Sequence, residues 1–523
     1  MSHTTDVIVK NTGYLYFKTA ITMIVSLWTT RLILNSLGVV DYGIYSVIGG
    51  AIAIMGFLNA SMAGATQRFM SFYQGKGDND KSEEIFNVSL IVHTGIALIV
   101  TLVLLLTGVL FFHYVLKIPP ERMQAAYVIY GSLIVSTLFS VLVVPFDAML
   151  NAHENMRYYA IVGVVESFLK LVVAYVVVYA MSDKLIVYGV LMAFIPLISL
   201  LLMGCYCHNH YTECKFGVMR YARKESLREI SGFAGWNFLG SVTAYGGNFG
   251  SGLVLNHFFG PSLNAAAGVT YQLTGMMLVM ANHMTKALRP AIVKSEGAGH
   301  RREMLTLSLA GCKYSFALFA VIAIPCFIEI PVVFHVWLKN VPEWAVSFAR
   351  IQIAYILMEQ IAMPLATSID AEGNISGYNI VSSIIHTIPC MVLIVLFHLG
   401  FSPIWQFVVM FIFWGVLLAI TKVYFAHKNC NMSYGAYIQT VIQPVVIPFL
   451  LTILLTLVIH VSIDDDVVRP ISVFSMGIIT FVLSFWYFSV DKKEKNVFVC
   501  LAKGFLNKKR ISKMSFGGFM RNI

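Results

Sequence analysis

Charge is scarce in this sequence. Only 12% of its 523 residues are Asp, Glu, Lys or Arg, and 58% are hydrophobic; a soluble domain averages roughly a quarter charged. Long apolar runs recur along the whole chain, which excludes a soluble domain with one anchor and predicts an all-α polytopic membrane protein. A secretory signal is also missing: "MSHTTDVIVK" is short and polar, and no cleavage site follows it, so the first apolar run is expected to serve as insertion signal and first helix. No GxxxxGK[ST], GxSxG or HExxH occurs, which excludes an ATP-driven pump in one chain and gives no sign of hydrolase or zinc-protease chemistry. No cofactor and no nucleic-acid partner are expected. Cysteine is sparse, and none of the eight falls in an expected outer loop, so no disulfide framework is predicted.

What is present is a series of apolar spans. Fourteen are read, centred near residues 26, 54, 100, 135, 170, 196, 246, 276, 320, 358, 388, 414, 449 and 480. With the N-terminus inside, inner loops and tails carry 26 Lys and Arg, outer loops 5, and the spans the remaining 5, namely Lys18, Arg31, Lys170, Lys313 and Arg350. That bias predicts that both termini are cytoplasmic.

The longest inner loop, near residues 207–232, separates six spans from eight. Across it the sequence repeats weakly. Asn35 pairs with Asn256 and Arg68 with Arg289 at an offset of 221, and Glu84 with Glu303 at 219. A parallel repeat follows, with two six-helix lobes and two further helices. The expected division is a first lobe with its linker (1–228), a second lobe (229–430), spans 13 and 14 (431–490), and a basic tail (491–523). In that tail Phe498, Leu501 and Phe505 share one helical face, which reads either as an interfacial amphipathic helix or as a solvated basic segment.

Charges inside spans carry the chemical information, since one at the bilayer centre costs at least about 3 kcal/mol. Glu166 and Lys170 stand four residues apart in span 5, and Lys170 is about 16 Å deep at the helical rise. They are either an ion pair fixing the helix or the lining of a hydrated path, with Lys170 meeting an anionic substrate and Glu166 taking a proton. Arg31 either snorkels outward or grips a phosphate with its planar fork. Lys313 and Arg350 are further substrate candidates. Glu359, one turn before Pro364, is the second candidate for a coupling proton or cation.

Span 7, "WNFLGSVTAYGGNFGSGLVLN", is glycine-rich. Gly246, Gly247 and Gly250 allow either close helix packing or a hinge. Cys205, Cys207, His208, His210 and Cys214 match no zinc-finger spacing, and no metal site is predicted.

The stretch "TTRLILNSLGVVDYGIYSVIGG" resembles the first-helix signature of polysaccharide-transport flippases, in which an Arg precedes an "LG…YG.Y" turn into helix 2. "ATQRFMSFYQGKGD", closing span 2, is similar to the same pattern. That family, Wzx in O-antigen pathways, belongs to the MATE-like superfamily of multidrug, oligosaccharide and lipid exporters. The resemblance implies a V-shaped pair of six-helix lobes around a central cavity, and flipping of an undecaprenyl-pyrophosphate-linked oligosaccharide across the bacterial inner membrane. Arg31 would line the cavity, Lys170 and Lys313 would suit a pyrophosphate, and spans 13 and 14 would hold the lipid tail. The implied partners are the lipid-linked sugar, membrane lipid, H+ or Na+, and a polysaccharide polymerase.

Two rivals are weighed. A MATE-like multidrug or cation antiporter usually carries a carboxylate in helix 1 or 7, and spans 1 and 7 here have none. A membrane polymerase or ligase needs a large outer loop with catalytic residues, and outer segments such as "LKIPPERM", "MSDK" and "GFSP" are short.

Overall fold

The computed structural model describes residues 2–53, 56–110, 112, 118–214, 224–338, 341–492 and 494–495, and every regular element among them is a helix. The tail residues Phe498, Leu501 and Phe505 lie outside the described residues. The chain clusters into two compact units, Asn11–Ser241 and Met1–Lys10 with Val242–Ile523, called here the N-terminal and C-terminal units. Ten helices among the described residues are long and apolar enough to cross a membrane, which makes this a multi-pass membrane protein. Thirteen of the fourteen expected span centres fall inside helices, and the one near residue 54 falls at the undescribed residues 54–55.

In order, the helices that begin in the N-terminal unit or enter it are α1 (Ser2–Ala53), α2 (Gly56–Lys76), α3 (Asn79–Leu110), α4 (Met123–Leu142), α5 (Val144–Ala152), α6 (Met156–Tyr179), α7 (Lys184–His210) and α8 (Lys224–Phe259). The C-terminal unit takes the end of α8 and continues with α9 (Pro261–Gly297), α10 (Arg301–Ile328), α11 (Ile330–Trp337), α12 (Ala345–Gln360), α13 (Met363–Glu372) and α14 (Ser376–His398). It closes with α15 (Trp405–Cys430), α16 (Tyr434–Ser462) and α17 (Val468–Phe488).

The internal repeat is visible in the backbone. α1 turns at Gly38 (φ 77°, ψ 171°), and α8 gives way to α9 at Gly260 (φ 81°, ψ 179°), two residues 222 apart in one conformation. A side chain would be strained there, so glycine is required to fold one span onto the next. Gly77 and Gly299, again 222 apart, share φ near 75° where the next helix begins. Pro145 and Pro364 open the short helices α5 and α13, each following a break in its span. Proline removes a helical donor and clashes with the preceding turn, so it sits at the start of the second segment. Glu154 and Gly373, 219 apart like the two prolines, then end α5 and α13 with positive φ.

Burial against lipid gains little hydrophobic free energy, so helices here associate through close packing and small side chains. In the C-terminal unit Phe316, Phe319, Phe334, Phe348, Phe407 and Phe481 form the buried centre, with the Phe348 and Phe407 rings stacked 4.4 Å apart. In the N-terminal unit, one cluster joins Ile44, Val100, Leu104, Ile129 and Leu185, and another joins Ile33, Val173, Ala174 and Val177. Large apolar side chains such as Leu98, Ile99, Leu102 and Leu106 stay exposed on α3, as a helix in hydrocarbon requires.

Candidate functional site

In the N-terminal unit, α6 presents a broad exposed apolar face of Ile161, Phe168, Val172, Val176 and Tyr179. Lys170 is exposed as well, yet by the helical period it points to the opposite side. α1 and α7 pack to either side of it. On α1, Lys18 Nζ sits 4.0 Å over the Tyr159 ring and Thr22 accepts a hydrogen bond from Ser167. On α7, the Ser199 hydroxyl donates to the Glu166 carboxylate, and the Leu202 carbonyl accepts from Tyr158. Glu166 therefore takes a partner on α7 instead of Lys170, which has no hydrogen-bond or ion-pair partner among the described residues.

Arg31 is exposed on α1, on the same side as Ile24, Trp28 and Asn35. The Trp28 indole N–H donates to the Tyr175 hydroxyl of α6 at 3.3 Å. Among the described residues the α1–α6 pair thus carries two cations without a hydrogen-bond or ion-pair partner, Arg31 on the side of Asn35, Trp28 and Tyr175, and Lys170 on the opposite side of α6. A guanidinium suits phosphate bidentately, an ammonium suits it as a point charge, and aromatic faces suit the apolar faces of sugar rings.

The C-terminal unit treats its charges differently. Lys313, 3% exposed on α10, donates to both Glu494 oxygens at 2.7 and 2.8 Å and to the Ser489 carbonyl at 3.0 Å. Those three acceptors match its three donors. Arg350 is exposed and its Nε donates to the Phe327 carbonyl at 3.3 Å. Glu359, at the end of α12, lies 3.8 Å from Lys422 Nζ of α15.

Lys422 belongs inside a span. The sequence count places it with the inner loops, but α15 continues to Cys430, and Lys422 lies on its buried stripe with Trp414, Leu418 and Ala426. The i, i+4 spacing of those residues is the signal that identifies it. Upstream, Phe411–Leu417 is a π-helical segment, which places Gly415 against the Tyr355 side chain and carbonyl.

The span-7 glycines separate by environment. A Cβ on Gly247 would collide with the His386 carbonyl oxygen of α14 and one on Gly250 would meet the Cys390 sulfur at 3.0 Å, whereas Gly246 has open space.

Sequence reasoning missed two ionic clasps near helix ends. Arg122 Nε donates to Asp41 at 2.8 Å, and its Nη1 donates to Asp183 at 2.8 Å, so one guanidinium joins three segments at one end of the N-terminal unit's helices. Asp183 also accepts the Leu185 and Ile186 amides as the cap of α7. Partial burial opposes its charge, but the hydrogen bonds and charge of Arg122 outweigh this and hold its carboxyl below the usual range. In the C-terminal unit Glu329, buried between α10 and α11, meets His460 at 2.6 Å and Arg469 at 3.4 Å.

At the other end of α7, His153 Nε2 lies 3.2 Å from Glu213, and its ring stacks on Tyr211. The imidazole beside it holds the Glu213 carboxyl down at about 2. Within "CYCHNHYTEC", the Cys207 thiol donates to the Phe146 carbonyl, His208 contacts the Cys214 carbonyl and His210 stacks on Tyr206. Among the described residues no three His, Cys, Asp or Glu side chains converge as metal ligands.

The sequence profile of a family described as polysaccharide biosynthesis protein matches residues 8–296. A search of curated proteins finds no match. Among solved structures, a MOP superfamily transporter from Pyrococcus furiosus, described as having a binding pocket of reverse polarity that suggests a different function, aligns with a TM-score of 0.69 at 14% identity, over 82% of this chain and 96% of its own. A MATE transporter in the bent conformation aligns with a TM-score of 0.69 at 14% identity, over 83% and 96%. The Vibrio cholerae MATE transporter VcmN in its bent form aligns with a TM-score of 0.66 at 14% identity, over 82% and 98%. At such identity the likeness shows the fold, which is that of MATE and MOP superfamily transporters.

Proposed function

Because this chain belongs to the polysaccharide biosynthesis protein family and has the MATE-type transporter fold, we propose that it is a flippase. Its substrate is an undecaprenyl-pyrophosphate-linked oligosaccharide, an O-antigen, capsule or exopolysaccharide unit, moved across the bacterial inner membrane by alternating access. The observation that carries this reading is Lys170, an exposed cation at membrane depth with no partner among the described residues. A charge so placed is retained at a cost unless it meets water or an anion. Arg31 and Lys170 would hold the pyrophosphate along a hydrated path while the isoprenoid stays in lipid. Arg350 is a further contact on the C-terminal side, and Lys313 serves through its hold on Glu494.

In this reading residues 1–228 and 229–430 alternate, with α8 bending at Gly246, while Gly247 and Gly250 keep it seated on α14. Residues 431–490 hold the lipid tail, and the basic segment 491–523 faces the cytoplasm, as does the N-terminus. An H+ or Na+ gradient would drive the cycle through Glu166 and Glu359. A polysaccharide polymerase would receive the product.

The test is complementation in a host that lacks its own flippase and makes the native sugar unit. Wild type is expected to restore surface polysaccharide, and Lys170→Ala and Arg31→Ala at equal membrane levels are expected to leave lipid-linked units accumulated inside. Failure of the wild type would overturn the proposal.

A further inference from the structure

We propose that Lys422 is a tethered counter-ion for Glu359: its ammonium stands where an inorganic monovalent cation would otherwise neutralise that carboxylate, and removing Lys422 uncovers a Na+ site. The inference rests on the reading of Glu359 as a coupling residue and narrows it: with Lys422 in place, the ion coupled at this carboxylate is H+ and not Na+.

Three observations carry it. First, the pair is enclosed. The Lys422 and Glu359 side chains are 5% and 22% exposed, and Lys422 stands about 12 Å along α15 from its end at Cys430, at the rise of 1.5 Å per residue. Second, Lys422 and Glu359 are each other's ion-pair partner. Among the described residues Glu359 is the carboxylate within 4 Å of Lys422, while Asp370 of α13 pairs with Arg289 at 3.4 Å. Third, the ammonium is poorly bonded. Apart from Glu359 at 3.8 Å, it reaches the Met363 sulfur at 3.6 Å, a weak acceptor. A well-made buried pair is closer than this, and desolvation of both charges is only partly repaid.

The surroundings suit a hard cation once the lysine is gone. The Tyr355 side chain, one turn before Glu359 on α12, lies beside that carboxylate. Carboxylate and hydroxyl oxygens are the ligands hard cations take. A carboxylate stripped of its partner inside a span is strongly unfavourable, so it recruits whatever cation fits. With Lys422 present, the ammonium already fills that role and Na+ has nothing to neutralise.

The experiment uses purified full-length protein in lipid nanodiscs, with NaCl against choline chloride at constant ionic strength. Thermal unfolding and binding of radioactive Na+ are the two readouts. Wild type and Lys422→Arg are expected to show no Na+-specific rise in Tm and no saturable Na+ binding that Glu359→Gln removes. Lys422→Gln is expected to unfold at lower temperature in choline, to regain several degrees in NaCl, and to bind Na+; Lys422→Gln with Glu359→Gln should lose both responses. Saturable Na+ binding by wild type that Glu359→Gln abolishes would overturn the proposal. So would a folded Lys422→Gln protein indifferent to Na+. If Lys422→Gln does not fold, the wild-type and Lys422→Arg binding measurements decide. Neither readout involves flipping, so this proposal and the flippase reading fail separately.

Discussion

Lys313 and Glu494, 181 residues apart in sequence, meet as an ion pair with Nζ 2.7 Å from one carboxylate oxygen and 2.8 Å from the other. The contact fastens α10 to the chain leaving α17. A second tie is the Ser489 hydroxyl, which donates to the Pro444 carbonyl of α16. At the opposite end of these helices Glu329 holds His460 and Arg469. Between the two clasps, Gly477 packs on Thr456 and Pro325. The last two spans are therefore secured to α10 at both ends.

Breaking that pair is expected to be costly. Lys313→Ala leaves a largely buried carboxylate without its cation and should destabilise the protein by about 3–5 kcal/mol. Replacing both partners, Lys313→Met with Glu494→Leu, should cost markedly less. Thermal unfolding of the purified proteins checks the order, and equal losses would contradict it.

The glycines of α8 predict opposite outcomes for neighbouring positions. Gly247→Ala forces a methyl against the His386 carbonyl and should cost about 1–3 kcal/mol, the usual range for overpacking. Gly246→Ala has open space and should gain up to about 1 kcal/mol from the lower chain entropy of alanine. If Gly246 is a bend required for transport, the same substitution lowers polysaccharide export while raising Tm.

How much of this was legible in the sequence depends on whether the signal is local. The spans are local, and so are the turns at Gly38 and Gly260; the weak pairing of Asn35 with Asn256 already pointed to the repeat that the shared backbone conformations display. Partners were not legible. Nothing near Lys313 names Glu494, and Arg122 meets Asp41 and Asp183 from 81 and 61 residues away. Glu166 and Lys170 have the spacing of a helix pair, yet Ser199 from the next helix takes the carboxylate. Lys422 was not legible as a buried charge because a lysine near the end of an apolar run reads as the start of a loop, although it continues the buried face.

The Arg122 clasp predicts an acid-sensitive contribution. The Asp183 carboxyl titrates below its ordinary value, so the clasp stabilises the fold above about pH 4, the unfolded carboxylate value, and that share is lost as pH falls through the folded value. Because the group is partly solvated, Arg122→Ala should cost only about 1 kcal/mol. Unfolding measured from neutral to acid pH should show wild type and variant converging.

Glu213 follows the same sign with a larger shift. Its folded value is about 2, so its contribution is complete above the unfolded value near 4 and declines between there and about 2. Glu213→Gln should lower Tm at neutral pH and flatten that acid limb, as should His153→Ala.

The central claim is that an anionic lipid-linked sugar crosses along a path containing Lys170. The most direct measurement is flipping itself, with purified protein in liposomes, a labelled undecaprenyl-pyrophosphate oligosaccharide in one leaflet, and its arrival in the other leaflet followed over time. Wild type should move the lipid, Lys170→Ala should move it at least tenfold more slowly, and Lys170→Arg should retain most of the rate. Equal rates for wild type and Lys170→Ala, or a wild type no faster than empty liposomes, would contradict the account.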